Sequence, residues 1–173
     1  MSDIDILQQM DNIDLSKVET SFPLLASGIV QANIVDAKFV QEDSKKRQGQ
    51  KTNHLFVEYT LAQPWKTSGH DGPVKTINPG DRGSKFSERI YFGTFIDEKD
   101  GGKEKPYGLD RILKLREAIY GKADESVKFS QIPPTLIGQT LTLTLKFEPA
   151  PVNSETKEVM GPRTSVAGYV KKR

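Results

Sequence analysis

Residues 138–149 read GQTLTLTLKFEP, the clearest β-strand pattern in the chain. Threonine alternates with an apolar residue across it, so every second side chain points to the same side of an extended chain. One apolar side and one polar side are typical of an antiparallel strand that covers a core and faces water. The apolar set is Leu141, Leu143, Leu145 and Phe147.

Four other stretches show the same alternation, at residues 28–41, 54–62, 85–95 and 163–173. In the first of them the apolar parity changes at Ile34 and Val35, which indicates a β-bulge. The second and third predicted strands have clear core sides. These core sides are Leu55, Val57, Tyr59 and Leu61 in the second strand, and Phe86, Glu88, Ile90 and Phe92 in the third.

One helix is predicted within residues 107–121, with Gly121 as its stop signal. The residues that recur at steps of three and four are Leu109, Ile112, Leu113, Arg116, Ile119 and Tyr120. Residues 97–106 are expected to form a turn and linker, and residues 131–138 a connector. The order strand, strand, strand, helix, strand, strand predicts an all-β protein with one helix, a five-stranded OB-fold-like antiparallel barrel. A long loop rich in glycine and proline, within residues 63–85, separates the second and third strands.

Composition limits the class of protein. The chain has 173 residues, two histidines and no cysteine, so a disulfide scaffold and a thiolate zinc site are excluded. We expect no cofactor and no metal. No apolar run approaches the ~20 residues that cross a bilayer, and the first residues do not resemble a signal peptide. The expected location is cytoplasmic, without a membrane partner.

Charge divides the chain into two parts. Residues 1–20 carry five acids and one lysine, a net charge of −4, so the overall charge of +2 leaves +6 for the remainder. This asymmetry predicts an acidic, flexible N-terminal arm at residues 1–20 and a polyanion-binding domain at residues 21–173. An ordinary surface with a solubilising arm is the alternative interpretation.

Cations cluster in the loop between the first and second predicted strands, which flanks the binding face in an OB barrel. Flexible cations there can follow a phosphate backbone, and the release of counterions would drive binding with little sequence preference. A solvated loop is the alternative. The predicted phosphate-contacting residues are Lys45, Lys46, Arg47, Lys51, Lys66 and Arg89.

Three aromatic residues are candidates for base stacking. Phe56 and Tyr91 lie on the off-core sides of their predicted strands, and Trp65 begins the long loop. Unpaired bases stack on such rings, and each stack is worth ~1–3 kcal/mol. Packing in a second small hydrophobic cluster is the alternative for each ring.

Catalysis has little support in the sequence. Neither a nucleophile elbow nor an H-E-x-x-H motif occurs, and residues 78–85 lack the spacing of a nucleotide-binding P-loop. We therefore expect no enzymatic activity and no catalytic residues. A metal-dependent nuclease using Asp81 or Glu88 is the enzymatic alternative.

Five stretches together resemble the small phage-encoded single-stranded-DNA-binding proteins that accompany replication and recombination genes. They are FPLLASGIVQANIVDAKF (22–39), SKKRQGQKTNHLFVEYTLA (44–62), GLDRILKLREAIYG (108–121), LIGQTLTLTLKFEP (136–149) and SVAGYVKK (165–172). The resemblance implies an OB-like fold, sequence-tolerant binding and the host cytoplasm. Those proteins often end in an acidic tail that recruits partners, whereas this chain ends in YVKKR and carries its acids at the front.

The predicted function is sequence-independent binding of single-stranded DNA in phage replication or recombination. Replication or recombination proteins that bind the acidic arm, and further copies of the chain, are the other expected partners. The alternative is a β-rich virion or protein-interaction component that assembles through the arm and the long loop.

Overall fold

A computed structural model describes residues 23–44, 49–122, 126–154 and 156–172. This part of the chain is mostly β, with eight strands and two short α-helices. In chain order they are β1 (Gly28–Asp43), β2 (Lys51–Leu61), β3 (Trp65–Lys66), β4 (Thr76–Ile77), β5 (Lys85–Asp97), β6 (Lys103–Tyr107), α1 (Leu109–Tyr120), α2 (Ile132–Leu136), β7 (Thr140–Glu148) and β8 (Arg163–Tyr169).

Six of the strands form one antiparallel sheet that curls into a half-barrel, in the order β6–β5–β2–β1–β7–β8. β3 and β4 pair with each other in a separate two-stranded sheet. The predicted β-rich class is confirmed, but the count of five strands is wrong for this sheet. The additional strand is β6, which comes from the segment predicted as a turn and linker.

Curvature of the sheet begins in β1, a 16-residue strand that pairs with β2 along one edge and with β7 along the other. Its register with β2 shifts between Ile34 and Asp36, so Val35 is an extra residue. The predicted bulge is therefore confirmed. Because a bulge bends a strand and increases its twist, β1 can pair with both β2 and β7 while the sheet curls.

The hydrophobic core fills the inner side of the half-barrel. Every predicted core residue of β2 is fully buried, and so are the leucines of β7. Strict alternation explains this result, because a shift of one residue in strand register would turn each of these side chains toward water. The fully or nearly fully buried set includes Leu55, Val57, Tyr59, Leu61, Leu141, Leu143 and Leu145.

The predicted helix is α1, and its end at Gly121 is confirmed. Gly121 has a φ of 80°, and its N–H donates to the carbonyl of Glu117. The buried side of α1 includes Ile112, Leu115 and Ile119, and it packs against β5, β7 and β8.

A second helix, α2, replaces the connector predicted at residues 131–138. It has prolines in its first turn, where a missing N–H costs no helical hydrogen bond. Across the described residues, none of the helices is long and apolar enough to cross a membrane.

Candidate nucleic-acid interface

The candidate interface lies on the outer face of β1, β2 and β5. Leu55 and Val57 point into the core, so Phe56 between them points outward. Phe56 pairs with Lys38 on β1 and with Arg89 on β5, which places one ring between two cations in a row across three strands. The Lys38 ammonium nitrogen lies 5.3 Å from the centre of the Phe56 ring.

The two cations in this row have different surroundings. Lys38 also contacts Asp36, with 3.1 Å between Nζ and Oδ2, but its side chain remains 59% exposed. Arg89 is exposed and has no carboxylate partner within the described ranges. Both side chains are long and mobile enough to turn from the protein toward a phosphate.

Tyr91 extends the row toward the end of the sheet. It pairs with His54 across β2 and β5, with 5.1 Å between the two ring centres. Its hydroxyl donates to Glu42 on β1 at 3.3 Å, yet the residue is 44% exposed. The Tyr91 ring is thus fixed by a neighbouring ring and a carboxylate while it remains open to solvent.

His54 is buried, although alternation puts it on the outer, mostly polar side of β2. Its Nδ1 lies 3.7 Å from Glu42 Oε1, and it has no hydrogen-bond partner in the described part of the chain. Burial lowers the pKa of His54; the charge of Glu42 opposes this effect and that of Arg89 adds to it. The imidazole is therefore neutral at neutral pH and supports the Tyr91 ring.

The structure places Lys51, Trp65 and Lys66 away from this row. Lys51 is at the first position of β2 and, by alternation, on the side of Leu55 rather than that of Phe56. Its ammonium lies 2.8 Å from Asp43, its partner on β1. Lys45, Lys46 and Arg47 lie outside the described residues, so their placement stays a prediction.

Trp65 and Lys66 form β3, apart from the Phe56 row. The Trp65 indole N–H donates to the carbonyl of Ala26 at 3.0 Å, and its ring covers Gly28 at the start of β1. A β-carbon at Gly28 would lie 2.7 Å from that ring, so only glycine fits there. The partly buried Trp65 thus fixes the long loop, while Lys66 is exposed.

A buried polar cluster lies on the inner side of the half-barrel around Glu88. Tyr59 and Tyr169 donate to Oε2 of Glu88 at 3.1 and 2.6 Å, and Arg111 Nε donates to Oε1 at 2.6 Å. Burial raises the pKa of both tyrosines, and the nearby carboxylate adds to the effect. Glu88 on β5 is therefore linked by hydrogen bonds to β2, β8 and α1 inside the half-barrel.

Asp81, the other residue of the nuclease alternative, is in an exposed turn and accepts from the backbone N–H of Asn78 at 2.8 Å. Within the described residues, no group of three or more histidines or acids is placed to hold a metal ion.

Sequence reasoning missed Lys38 and His54. The period-2 signal places Lys38 on the outer side of β1, but its position opposite Phe56 depends on the register after the bulge. Alternation places His54 on the outer side of β2, but its neighbours there, Glu42 and Tyr91, are distant in sequence.

The chain is thus a β-rich protein whose curled antiparallel sheet carries an outer row of cations and aromatic rings. No protein-family model matches the chain, and no curated protein sequence matches it.

Proposed function

We propose that this protein binds single-stranded DNA, without sequence preference, through the outer face of β1, β2 and β5. The observation that carries the proposal is the row Lys38–Phe56–Arg89, a ring flanked by two cations, beside the exposed ring of Tyr91. Bases of a single strand would stack on the rings, while the cations would contact phosphates. Stacking accepts any base, because every base has a π-face.

The curled antiparallel sheet supports this choice of face. We infer that β1, β2, β5, β7 and β8 correspond in order to the five barrel strands, with β3–β4 and β6 as insertions. β5 and β8 approach each other, and Tyr169 on β8 reaches Glu88 on β5, which would close the barrel. In an OB fold the face of strands 2 and 3, here β2 and β5, is a binding face.

The loop between β1 and β2 would flank this face in the inferred OB-like arrangement. The loop from Ser44 to Gln50 leads into β2, and the backbone N–H of Ser44 donates to the carbonyl of Gln50 at 2.7 Å. Lys45, Lys46 and Arg47 belong to this loop, and we propose that they contact phosphates beyond Tyr91. Lys51, Trp65 and Lys66 remain proposed contacts for a longer strand.

Equilibrium binding of a fluorescent dT oligonucleotide tests the proposal by anisotropy. An oligonucleotide of about 20 nucleotides exceeds the ~4–16 nucleotides that one OB fold covers. Each phosphate contact on a single strand adds about 0.7 to the log–log salt slope, so five or six contacts predict a slope of about −4. A wild-type protein that fails to bind, or that binds independently of salt, contradicts the proposal.

Two substitutions separate stacking from charge. Phe56→Ala should weaken binding by about 5- to 150-fold, because one base stack is worth ~1–3 kcal/mol, and should leave the salt slope unchanged. Arg89→Gln should reduce the size of the slope by about 0.7. Ile29→Ala is the control for the first, since Ile29 is 60% exposed on the outer side of β1 far from Phe56.

Arg163→Gln is the control for the second substitution. Arg163 is an exposed arginine on β8 that pairs with Glu148 and lies outside the Phe56 row. Equal losses for each variant and its control would show that the row has no special role in binding.

The biological setting follows from the resemblance, and we propose a role in phage DNA replication or recombination. In that setting, residues 1–20 would recruit replication or recombination proteins. Acids on the same outer face, Asp36, Glu42 and Glu58, favour a second candidate, a protein-interaction component of mixed surface charge. Stable self-association without affinity for oligonucleotides would favour that candidate.

A further inference from the structure

The β5–β6 hairpin carries two exposed rings that sequence analysis did not include among the candidates. Tyr107 is 40% exposed and pairs with Gly93 on β5, and Phe95 is 47% exposed and pairs with Lys105 on β6. Gly93 and Phe95 follow Tyr91 at two-residue steps, so they share the outer side of β5 with Arg89 and Tyr91.

A glycine makes room for the Tyr107 ring. A β-carbon at Gly93 would lie 3.0 Å from Cε1 and from the hydroxyl oxygen of Tyr107, so the ring lies directly over the glycine. This contact places Tyr107 on the outer face and holds it there, as aromatic rings do over glycines in other sheets.

The four rings on this face form a continuous series. Phe56 and Tyr91 are diagonal neighbours across β2 and β5, and the hairpin repeats this relation twice, from Tyr91 to Tyr107 and from Tyr107 to Phe95. Diagonal neighbours in an antiparallel pair are roughly 7–8 Å apart. From the level of Arg89 to that of Phe95 the series spans six residues of β5, about 20 Å at ~3.4 Å per residue.

We propose that the hairpin is part of the DNA-binding surface, so that single-stranded DNA runs along β5 and stacks on Phe56, Tyr91, Tyr107 and Phe95. This inference rests on the function proposed above and adds to it a direction and a minimum length. The strand crosses from β2 toward the hairpin turn, and four rings accommodate about four bases when each ring takes one.

Charge distinguishes the two halves of the surface. The cation beside Phe95 is Lys105, whose ammonium lies 2.8 Å from Asp97 and 3.0 Å from Asp100. The hydrogen bond between Lys105 and Asp97 is the main reason that the pKa of Lys105 is raised. Since these acids already hold Lys105, the hairpin half stacks bases without adding a phosphate contact.

The test measures binding of dT oligonucleotides of increasing length to Phe95→Ala and Tyr107→Leu variants. Leucine keeps apolar bulk over Gly93 and removes the π-face, so the hairpin should stay folded. Each variant should weaken binding of long oligonucleotides by about 5- to 150-fold, the value of one stack, at an unchanged salt slope. The same variants should weaken binding of a dinucleotide by less, because the Phe56 and Tyr91 rings can accommodate both of its bases.

Ile96→Ala is the matched control. Ile96 is 69% exposed and adjacent to Phe95, but it points to the opposite side of β5. Equal effects of Phe95→Ala and Ile96→Ala would overturn the inference, as would hairpin variants that bind like wild type while Phe56→Ala weakens binding. In the latter case the proposed function would survive.

If neither the wild type nor any variant binds oligonucleotides, the proposed function itself fails and the inference fails with it. A change of oligomeric state in Phe95→Ala, measured by sedimentation and without any change in DNA affinity, would assign the hairpin to protein contact and overturn the inference alone.

Discussion

Arg111→Met is the substitution that tests how α1 is held against β5 and β8. Arg111 on α1 donates through Nε to Glu88 on β5 at 2.6 Å and through Nη2 to the carbonyl of Val166 on β8 at 2.7 Å. Its guanidinium carbon also lies 5.3 Å from the centre of the Tyr169 ring. Methionine keeps most of the apolar stem but removes the charge and all these donors.

The expected loss follows from the exposure of the two charged groups. Removing one partner of a buried ion pair costs about 3–5 kcal/mol, because the other charge is left buried. The Glu88 side chain is only 7% exposed, whereas that of Arg111 is 36% exposed, so water can replace part of the lost guanidinium. We therefore expect a loss of about 2–3 kcal/mol in the free energy of unfolding.

Urea denaturation measures this loss directly, and thermal denaturation should show a midpoint about 4–12 °C lower for a chain of this size. Arg163→Met is the matched control, because Arg163 pairs with Glu148 at 3.2 Å on the surface and its side chain is 50% exposed. An exposed pair contributes about 0–1 kcal/mol. If Arg111→Met costs no more than Arg163→Met, the loss of Arg111 does not leave Glu88 as an uncompensated buried charge.

Two further predictions concern the support of the outer face. Gly108→Ala should destabilise the protein by more than Gly101→Ala in urea denaturation. Both glycines have positive φ (77° and 67°), but only a β-carbon at Gly108 would strike the Tyr91 carbonyl oxygen. Equal losses would show that this clash is not the cause. Burial lowers the folded-state pKa of His54, so the unfolded chain binds the proton more readily, and stability should fall as pH decreases from about 6.5 toward that lower pKa. His54→Gln should flatten this dependence between about pH 7.5 and 5.5, and an unchanged slope would show that His54 is not its source.

The sequence was sufficient where alternation is strict and a core depends on it. Leu55 to Leu61 and Leu141 to Leu145 could be assigned to the core because each second residue is apolar in an uninterrupted run. The bulge could be located because the parity change at Ile34 has no other simple explanation in an extended segment. The outward positions of Phe56 and Tyr91 followed from the same argument.

The sequence was insufficient where a contact depends on register or on an edge. β6 reads KEKPY, and an exposed edge strand needs no apolar side, so its charges and proline resemble those of a turn. Tyr107 was missed with it, since its place over Gly93 exists only once β5 and β6 pair. The position of Trp65 over Gly28 is likewise a tertiary contact without a local signal.

The helix shows an intermediate case. The predicted pattern included Leu109, Leu113 and Tyr120, which are 36%, 46% and 39% exposed, and omitted the buried Leu115. Period and length were sufficient for the helix and its end, but apolar residues on two sides of a short helix do not determine which side meets the sheet.

Base stacking on the outer face of β2 and β5 is measured most directly by photochemical crosslinking of an iododeoxyuridine-substituted oligo-dT, with the modified peptides identified by mass spectrometry. Rings that stack on bases should form the adducts, so we expect them at Phe56 and Tyr91 and, for longer oligonucleotides, at Tyr107 and Phe95. Adducts confined to residues away from the outer face of β2 and β5, or no adducts at saturating oligonucleotide, would contradict DNA binding through this face.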